Sequence, residues 1–290
     1  MQNRQIIEPK RSIDVIHETD VLVVGSGPGG LSAAIASARC GVKTTLLERF
    51  GCFGGNITVV GVEGFAWYRH EKTVEAGGIG REFEELAKEM GAAVPESQSL
   101  SYELDSEGFK LVADKLVIDA GIHPMLHRSF STPIMEGNTI VGVIVESKAG
   151  REAILSKVVI DATGDADVAF RAGAKLNSMP VEEQMATSVM FHLAGVDKKA
   201  FLSEIQNNPQ SYKDWSDGEW EVETDGKEDD LFSPFLKKPF QQAINEGLLP
   251  SDLKTIGGTW GAVHDTGELT YMNIIQLSNL DGTNPDDLTK

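Results

Sequence analysis

Cysteine is scarce in this sequence, because its 290 residues include only two, Cys40 and Cys52. Two isolated thiols match neither the disulfide framework of a small secreted domain nor the paired spacing of a zinc site. We therefore expect no disulfide and no metal site, and a reducing, cytoplasmic location.

Positive charge is also scarce. The chain has 26 Lys and Arg against 44 Asp and Glu, with a net charge of −18. Nucleic-acid binding depends on clustered Lys and Arg, so no nucleic-acid partner is expected. No apolar run approaches the ~18 residues of a membrane-spanning helix, and residues 1–19 do not form a secretion signal. We expect a small-molecule substrate, no membrane partner and, as an open possibility, a homo-oligomer.

What the sequence does contain is an apolar strand, a glycine turn, a helix of small residues and a second strand. The first apolar run is Val21–Val24, the helix continues to Arg39, Gly41 ends it, and the second apolar run ends at Leu47. Continuous apolar strands on either side of a helix are typical of a parallel sheet that is buried on both faces.

Helical and strand patterns continue downstream. Residues 78–93 and 107–120 predict helices, with apolar faces formed by Phe83, Leu86 and Met90 in the first and by Leu111, Ala113, Leu116 and Val117 in the second. A period of two predicts strands over residues 123–130, 138–147, 152–165, 187–196 and 269–277. The acidic stretch 214–230 predicts a solvated loop, and a change of pattern after residue 176 predicts a second subdomain.

The glycine turn matches the dinucleotide-binding pattern G-x-G-x-x-G. Its residues are Gly25, Ser26, Gly27, Pro28, Gly29 and Gly30. The turn follows a strand and opens a helix, and Glu48 ends the next strand, which is the context that the pattern requires. The N–H groups at the helix start would bind a pyrophosphate, while Glu48 would accept hydrogen bonds from a ribose and repel a 2′-phosphate. This favours FAD or NAD over NADP. The alternative is a glycine turn in a sheet that binds no ligand.

Three motifs together, "DVLVVGSGPGGLSAAIASARCGVKTTLLER", "GGN" and "KVVIDATGDADVAFRAGA", resemble the FAD-dependent oxidoreductases of the glutathione-reductase-like superfamily. The resemblance is closest to the branch related to fumarate reductase flavoproteins. It implies FAD contacts beyond the first turn, at Arg49, Gly54, Gly55, Asn56, Ala162, Thr163, Gly164 and Asp165. It also implies a longer chain whose later segment completes the flavin pocket, so we expect an incomplete pocket here.

The predicted fold class is α/β, with a doubly wound Rossmann-like FAD-binding domain, a β-hairpin insertion and a smaller α+β substrate subdomain. The predicted domains are residues 1–175, with an insertion at about 60–105, and residues 176–290. The predicted function is an FAD-dependent oxidoreductase whose flavin N5 accepts or donates hydride. The alternatives are an NAD-dependent dehydrogenase and a non-catalytic FAD-binding module that needs a partner chain.

No sequence motif identifies the catalytic side chain. Arg69 and His70 lie among aromatic residues and could bind an anionic substrate, although an incidental basic pair on a surface loop is the alternative. His192 lies on a predicted strand and could face the flavin, with a structural histidine as its alternative. Disulfide reductases of the superfamily carry two cysteines a few residues apart, and this chain has no such pair. A sensor role or a covalent flavin link at Cys52 stays an alternative.

Overall fold

A computed structural model of the chain describes residues 5–64, 77–95, 102–207, 237–250, 256–259 and 263–289. The chain forms two compact units, each drawn from two segments. The first comprises Met1–Gly51 and Val117–Leu176, and the second comprises Cys52–Leu116 and Asn177–Lys290. None of the helices in the described ranges is long and apolar enough to cross a membrane.

The described residues form strands and helices throughout the chain. The strands are β1 (Val15–Val24), β2 (Thr44–Leu47), β3 (Ala93–Pro95), β4 (Tyr102–Leu104), β5 (His123–Met125), β6 (Ser129–Glu136), β7 (Thr139–Ser147), β8 (Gly150–Asp161), β9 (Thr187–Leu193), β10 (Ile256–Thr259) and β11 (Leu269–Leu277). The α-helices are α1 (Pro28–Arg39), α2 (Ile79–Glu89), α3 (Ser106–Asp119), α4 (Asp167–Arg171), α5 (Lys198–Asn207), α6 (Lys237–Asn245) and α7 (Pro285–Leu288). Asn56–Val60 forms a π-helical turn.

A six-stranded sheet organises the first unit, in the order β5-β2-β1-β8-β7-β6. The neighbouring strands β5, β2, β1 and β8 are parallel to one another. Strands β7 and β6 extend the sheet beyond β8 as antiparallel neighbours. Helix α1 connects β1 to β2, with Pro28 at its start and Gly41 just beyond its end at a φ of +80°. Pro at the first helical position and Gly after the last one are the usual boundaries of a helix. The predicted α/β class, with a parallel sheet and an antiparallel hairpin, is confirmed.

The prediction of one continuous strand over residues 123–130 is wrong. The chain leaves the sheet after β5 and re-enters it as β6, at the opposite edge. His127, in the connection, has a φ of +57°, a left-handed conformation that a continuous strand does not contain. The turns predicted after β6 and after β7 are confirmed, and they connect β6, β7 and β8 as a meander.

The core of the first unit is one cluster of buried side chains that come from both the parallel and the antiparallel strands and from α4. Its buried members are Leu22, Val24, Leu47, Met125, Val143, Val145, Ile154 and Val168. Leu31, Ala34 and Ile35 of α1 are also buried. Burial of these side chains fixes the ends of β1, β2 and β8, from which the glycine turn and its neighbours emerge.

The second unit contains the predicted helix at α2 and the predicted helix at α3 as far as Leu116. Phe83 of α2 and Phe109 of α3 are fully buried and meet edge to face, with ring centroids 5.9 Å apart. The prediction that Met90 and Leu111 belong to the apolar faces of these helices is wrong, because Met90 is 41% exposed and Leu111 is 63% exposed. α3 instead buries Phe109 and Val112 together with Ala113, Leu116 and Val117, which is the spacing of one helical face.

A three-stranded antiparallel sheet completes the second unit, in the order β10-β11-β9. The strands predicted over residues 187–196 and 269–277 are therefore confirmed as β9 and β11. The acidic stretch 214–230 lies outside the described residues. The predicted domain boundaries stay a prediction; the insertion over 60–105 belongs mainly to the second of the two compact units.

Candidate functional site

Three parallel strands end level with one another in the first unit. Val24, the last residue of β1, pairs with Leu47 of β2 on one side and with Asp161 of β8 on the other. The residues that directly follow these three strand ends are Gly25, Glu48 and Ala162. Ligands of open α/β sheets bind at the carboxyl ends of the strands, and this edge brings together three predicted site residues that are far apart in sequence.

Close backbone packing explains two of the glycines. Gly25 has a φ of +96°, and a Cβ built there would lie 2.2 Å from the carbonyl oxygen of Ala162. A Cβ at Gly30 would lie 2.0 Å from the carbonyl oxygen of Gly25. Both distances are far below van der Waals contact, so the turn after β1, the start of α1 and the turn after β8 approach one another only because these residues lack side chains.

Gly27 and Gly29 have no such packing role. A Cβ at either position would have no described heavy atom within 4 Å beyond its immediate neighbours. Gly27 is the residue before α1, and as a glycine it has no side chain that could cap the helix start. The first turn of α1 also has no acidic residue. The backbone N–H groups at this helix start are therefore open to an anionic ligand, which the helix dipole favours.

Glu48 is buried, with 6% of its surface exposed, and its carboxylate is held from two sides. Oε2 accepts hydrogen bonds from the Ser26 N–H at 2.9 Å and from the Ser26 hydroxyl at 2.5 Å. Oε1 accepts one from the Phe50 N–H at 3.0 Å. The carboxylate thus links the glycine turn to the loop after β2. Its predicted ribose contact stays a prediction. The sequence analysis did not predict that Glu48 links these two segments of the protein.

The turn after β8 is held by Asp161, which the sequence analysis did not select. Its Oδ1 accepts from the Thr163 N–H at 3.1 Å and from the Thr163 hydroxyl at 2.7 Å, and its Oδ2 accepts from the Ala169 N–H at 2.9 Å. The Thr163 hydroxyl in turn accepts from the Asp167 N–H at 2.8 Å, at the start of α4. The spacing Asp-x-Thr is a signal of such side-chain turns and could have identified Asp161. Thr163 therefore shapes this turn.

The other predicted residues of the first unit are exposed. Gly164 has a φ of +100° and, like Asp165, is exposed. The guanidinium of Arg49, also exposed, lies 4.7 Å from the centre of the Phe50 ring. These positions are accessible to a ligand, and their contacts with FAD stay predictions.

Gly54, Gly55 and Asn56 belong to the second unit and open its π-helical turn. Gly54 has a φ of +115° and Gly55 a φ of +53°, and a Cβ at Gly54 would lie 2.5 Å from Cγ2 of Thr58. The side chain of Asn56 is exposed. The glycines are therefore explained by the local turn, and the predicted flavin contact of these three residues stays a prediction.

Among the predicted catalytic residues, His192 is described, whereas Arg69 and His70 lie outside the described residues. Nε2 of His192 lies 3.7 Å from Oε1 of Glu63, which is an ion-pair distance when the imidazole is protonated. Glu63 is buried, with 3% exposed, and its Oε1 also accepts from the Ser106 N–H at 3.1 Å, at the start of α3. His192 is half exposed. The catalytic role of His192 stays a prediction.

Cys52 has a local partner of its own. Its thiol donates to the hydroxyl of Thr58, with 3.9 Å between Sγ and Oγ1. Cys40 and Cys52 are both free thiols. No cluster of three or more His, Cys, Asp and Glu side chains that could hold a metal ion occurs among the described residues.

The residues at the sheet edge fit the adenosine diphosphate part of FAD. The space beside Gly27 and the uncapped start of α1 suit the pyrophosphate, and Glu48 supplies a carboxylate at the end of β2 for a ribose. The close approach of Ala162 to Gly25 places the turn after β8 beside the same edge.

The chain is similar in part to several known proteins. A thiamine thiazole synthase from Metallosphaera sedula is 33% identical over 173 residues, covering 56% of this chain and 60% of that protein. A geranylgeranyl bacteriochlorophyll reductase-like protein from Thermoplasma acidophilum has a TM-score of 0.47 at 20% identity, covering 62% of this chain and 48% of that one. The open conformation of a flavocytochrome c3 fumarate reductase has a TM-score of 0.37 at 20% identity, covering 52% of this chain and 34% of that one.

The chain thus spans about 60% of the length of the curated relatives that it matches. The family model described as FAD dependent oxidoreductase matches residues 20–280, which include the glycine turn, Glu48 and the turn after β8. The predicted family and cofactor are confirmed: the chain belongs to the FAD dependent oxidoreductase family, and its cofactor is FAD.

Proposed function

We propose that this chain is an oxidoreductase that acts on a small molecule and holds FAD at the carboxyl edge of the parallel sheet. The observation that carries the proposal is the convergence of Gly25, Glu48 and Ala162 at the level ends of three parallel strands. The bound flavin would supply hydride transfer through its N5 atom.

The residues of the chain would bind and orient the cofactor. The N–H groups at the start of α1 would donate to the pyrophosphate, and Gly27 would let that group reach the backbone. Glu48 would accept a hydrogen bond from the ribose of the adenosine. Its carboxylate would disfavour a ribose that carries a 2′-phosphate, since two negative charges would then meet in a buried site.

The first experiment is FAD uptake by the full chain. Purified protein is incubated with FAD, passed through a desalting column and examined for flavin absorbance, with NAD as the parallel ligand. We expect FAD to be retained and NAD not to be. Failure to retain FAD would contradict the proposal, and retention of NAD alone would favour the dehydrogenase alternative.

Catalysis is tested separately. The FAD-loaded chain is mixed with a panel of small-molecule donors under anaerobic conditions, and bleaching of the flavin reports hydride transfer. A chain that binds FAD but is bleached only by dithionite would favour the alternative of a module that needs a partner chain. Recovery of bleaching when a second chain is added would support that alternative directly.

A second candidate function comes from the relatives. The thiamine thiazole synthases match 56% of this chain at 33% identity, so formation of a thiazole deserves a direct test. Expression of the chain in a strain that lacks its own thiazole synthase should restore growth without thiamine if this function is correct. Growth only with added thiamine would argue against it and would leave the oxidoreductase proposal unaffected.

A further inference from the structure

Ser26 is the feature of the cofactor site that the proposed function does not use. It occupies a variable position of the glycine pattern, yet it is completely buried. Both of its polar donors, the N–H and the hydroxyl, point at the same oxygen of Glu48, at 2.9 Å and 2.5 Å. A hydroxyl-to-carboxylate distance of about 2.5–2.7 Å is typical of a strong, charge-assisted hydrogen bond. Ser26 therefore fixes the orientation of the carboxylate.

The hydrogen bonds of Glu48 limit what it can still accept. An ionised carboxylate offers about four lone-pair sites, two on each oxygen. Among the described residues, Ser26 occupies both sites of Oε2, and the Phe50 N–H occupies one site of Oε1. One site remains, on Oε1. A ribose has two hydroxyls, and only one of them can donate to this carboxylate while Ser26 keeps its place.

We propose that Ser26 is a positioning residue that makes Glu48 recognise a single ribose hydroxyl of the cofactor. This inference depends on the proposed FAD site and adds a specificity to it. The second ribose hydroxyl then contributes little through Glu48. Removal of the Ser26 hydroxyl removes one of the two bonds that fix Oε2, so that the carboxylate can turn and present both of its oxygens to the ribose hydroxyls.

The test uses ADP as the probe, because it carries the ribose and pyrophosphate without the flavin. Affinities of the full chain for ADP, 2′-deoxy-ADP and 3′-deoxy-ADP are measured by calorimetry. In the parent protein we expect one deoxy analogue to bind about tenfold or more weakly than ADP, since a hydrogen bond to a charged group is lost, and the other to bind within about threefold. Equal weakening of both analogues would overturn the proposal.

The Ser26→Ala variant gives the second comparison, with Ser26→Thr as a variant that keeps the hydroxyl. We expect Ser26→Ala to reduce the affinity ratio between the two deoxy analogues toward one, and Ser26→Thr to retain it. A purely structural role of Ser26 would weaken all three ligands by a similar factor and leave the ratio unchanged, which would also overturn the proposal. Thermal unfolding confirms that each variant is folded before titration.

Failure of this inference and failure of the FAD site give different results. A parent protein that binds neither FAD nor ADP contradicts the proposed function. A parent protein that binds both, with no difference between the two deoxy analogues, contradicts only the role of Ser26.

Discussion

The substitution Gly27→Asp separates the ligand-binding role of the glycine turn from its structural role. The residue precedes α1 with a φ of −60° and a ψ of 178°, which Asp adopts without strain. A Cβ there meets no described atom within 4 Å. Asp is among the best residues at this position, because its carboxylate accepts from the N–H groups of the first turn and interacts favourably with the helix dipole.

The expected effects on stability and on binding have opposite signs. Without FAD, Gly27→Asp should stabilise the chain by about 0.5–1 kcal/mol, from the cap and the dipole together. With FAD, the same carboxylate occupies the donors that the pyrophosphate needs and adds a like charge beside it. Two lost charge-assisted hydrogen bonds correspond to about 3–6 kcal/mol, so the Kd for FAD should rise at least about a hundredfold.

Gly30→Ala is the matched contrast, because its added methyl would lie 2.0 Å from the carbonyl oxygen of Gly25. Overpacking costs about 1–3 kcal/mol, and the backbone partner cannot rotate away, so the upper end applies. The helix preference for Ala offsets about 1 kcal/mol of this. A net loss of about 2 kcal/mol should lower Tm by about 4–8 °C without FAD.

Thermal unfolding of the FAD-free proteins and titration with FAD, followed by quenching of flavin fluorescence, measure both quantities. A Gly27→Asp protein that binds FAD like the parent would refute a pyrophosphate at this turn. A Gly30→Ala protein as stable as the parent would refute the close approach of Gly30 to Gly25.

Three further substitutions test other parts of the site and sheet. Glu48→Ala leaves three donors without their acceptor, two of them on the buried Ser26, so the FAD-free protein should lose about 3 kcal/mol or more; an unchanged unfolding temperature would contradict its structural role. Cys52→Ser should leave the FAD affinity within about threefold, and loss of bound flavin would revive a cofactor role for the thiol. The imidazole of His17 stacks on that of His123, with ring centroids 4.4 Å apart, and burial, then His123 and Lys43, lower the pKa of His17. The unfolded chain then binds the proton more readily than the folded chain, so stability should fall as the pH drops below the ordinary histidine pKa of about 6.5. Unfolding measured at several pH values should show a smaller fall in stability for His17→Gln.

The strand, helix and strand around the glycine turn could be predicted because local signals agree there. The apolar run ends at Val24, Pro28 opens the helix, and Gly41 follows its end, so pattern and boundary residues give one answer. The apolar face of α3 was predicted less well. Leu111 is apolar but exposed, whereas Phe109 and Val112 have the spacing of the buried face and were overlooked.

The path of the chain through residues 123–130 shows what local pattern cannot provide. Alternating apolar residues predicted one strand, and the structure has two strands at opposite edges of the sheet. The break includes the left-handed conformation of His127. Histidine adopts a positive φ more often than most residues but still uncommonly, so its presence alone does not predict the break. Sheet order depends on contacts that are distant in sequence, so it follows from packing and not from the period of the strand.

Glu48 shows the same limit at the level of a single side chain. The glycine pattern correctly predicted a carboxylate at the end of β2, beside the turn. It assigned that carboxylate to the ligand alone, because a sequence pattern leaves the residue at Ser26 unspecified and does not give the backbone direction of Phe50. Both residues donate to Glu48 in the folded chain. Under the proposed ribose contact, a loss of FAD affinity in Glu48→Ala combines the loss of that contact with a disturbed turn. The ratio between deoxy analogues, which cancels the second effect, is the measurement that isolates the first.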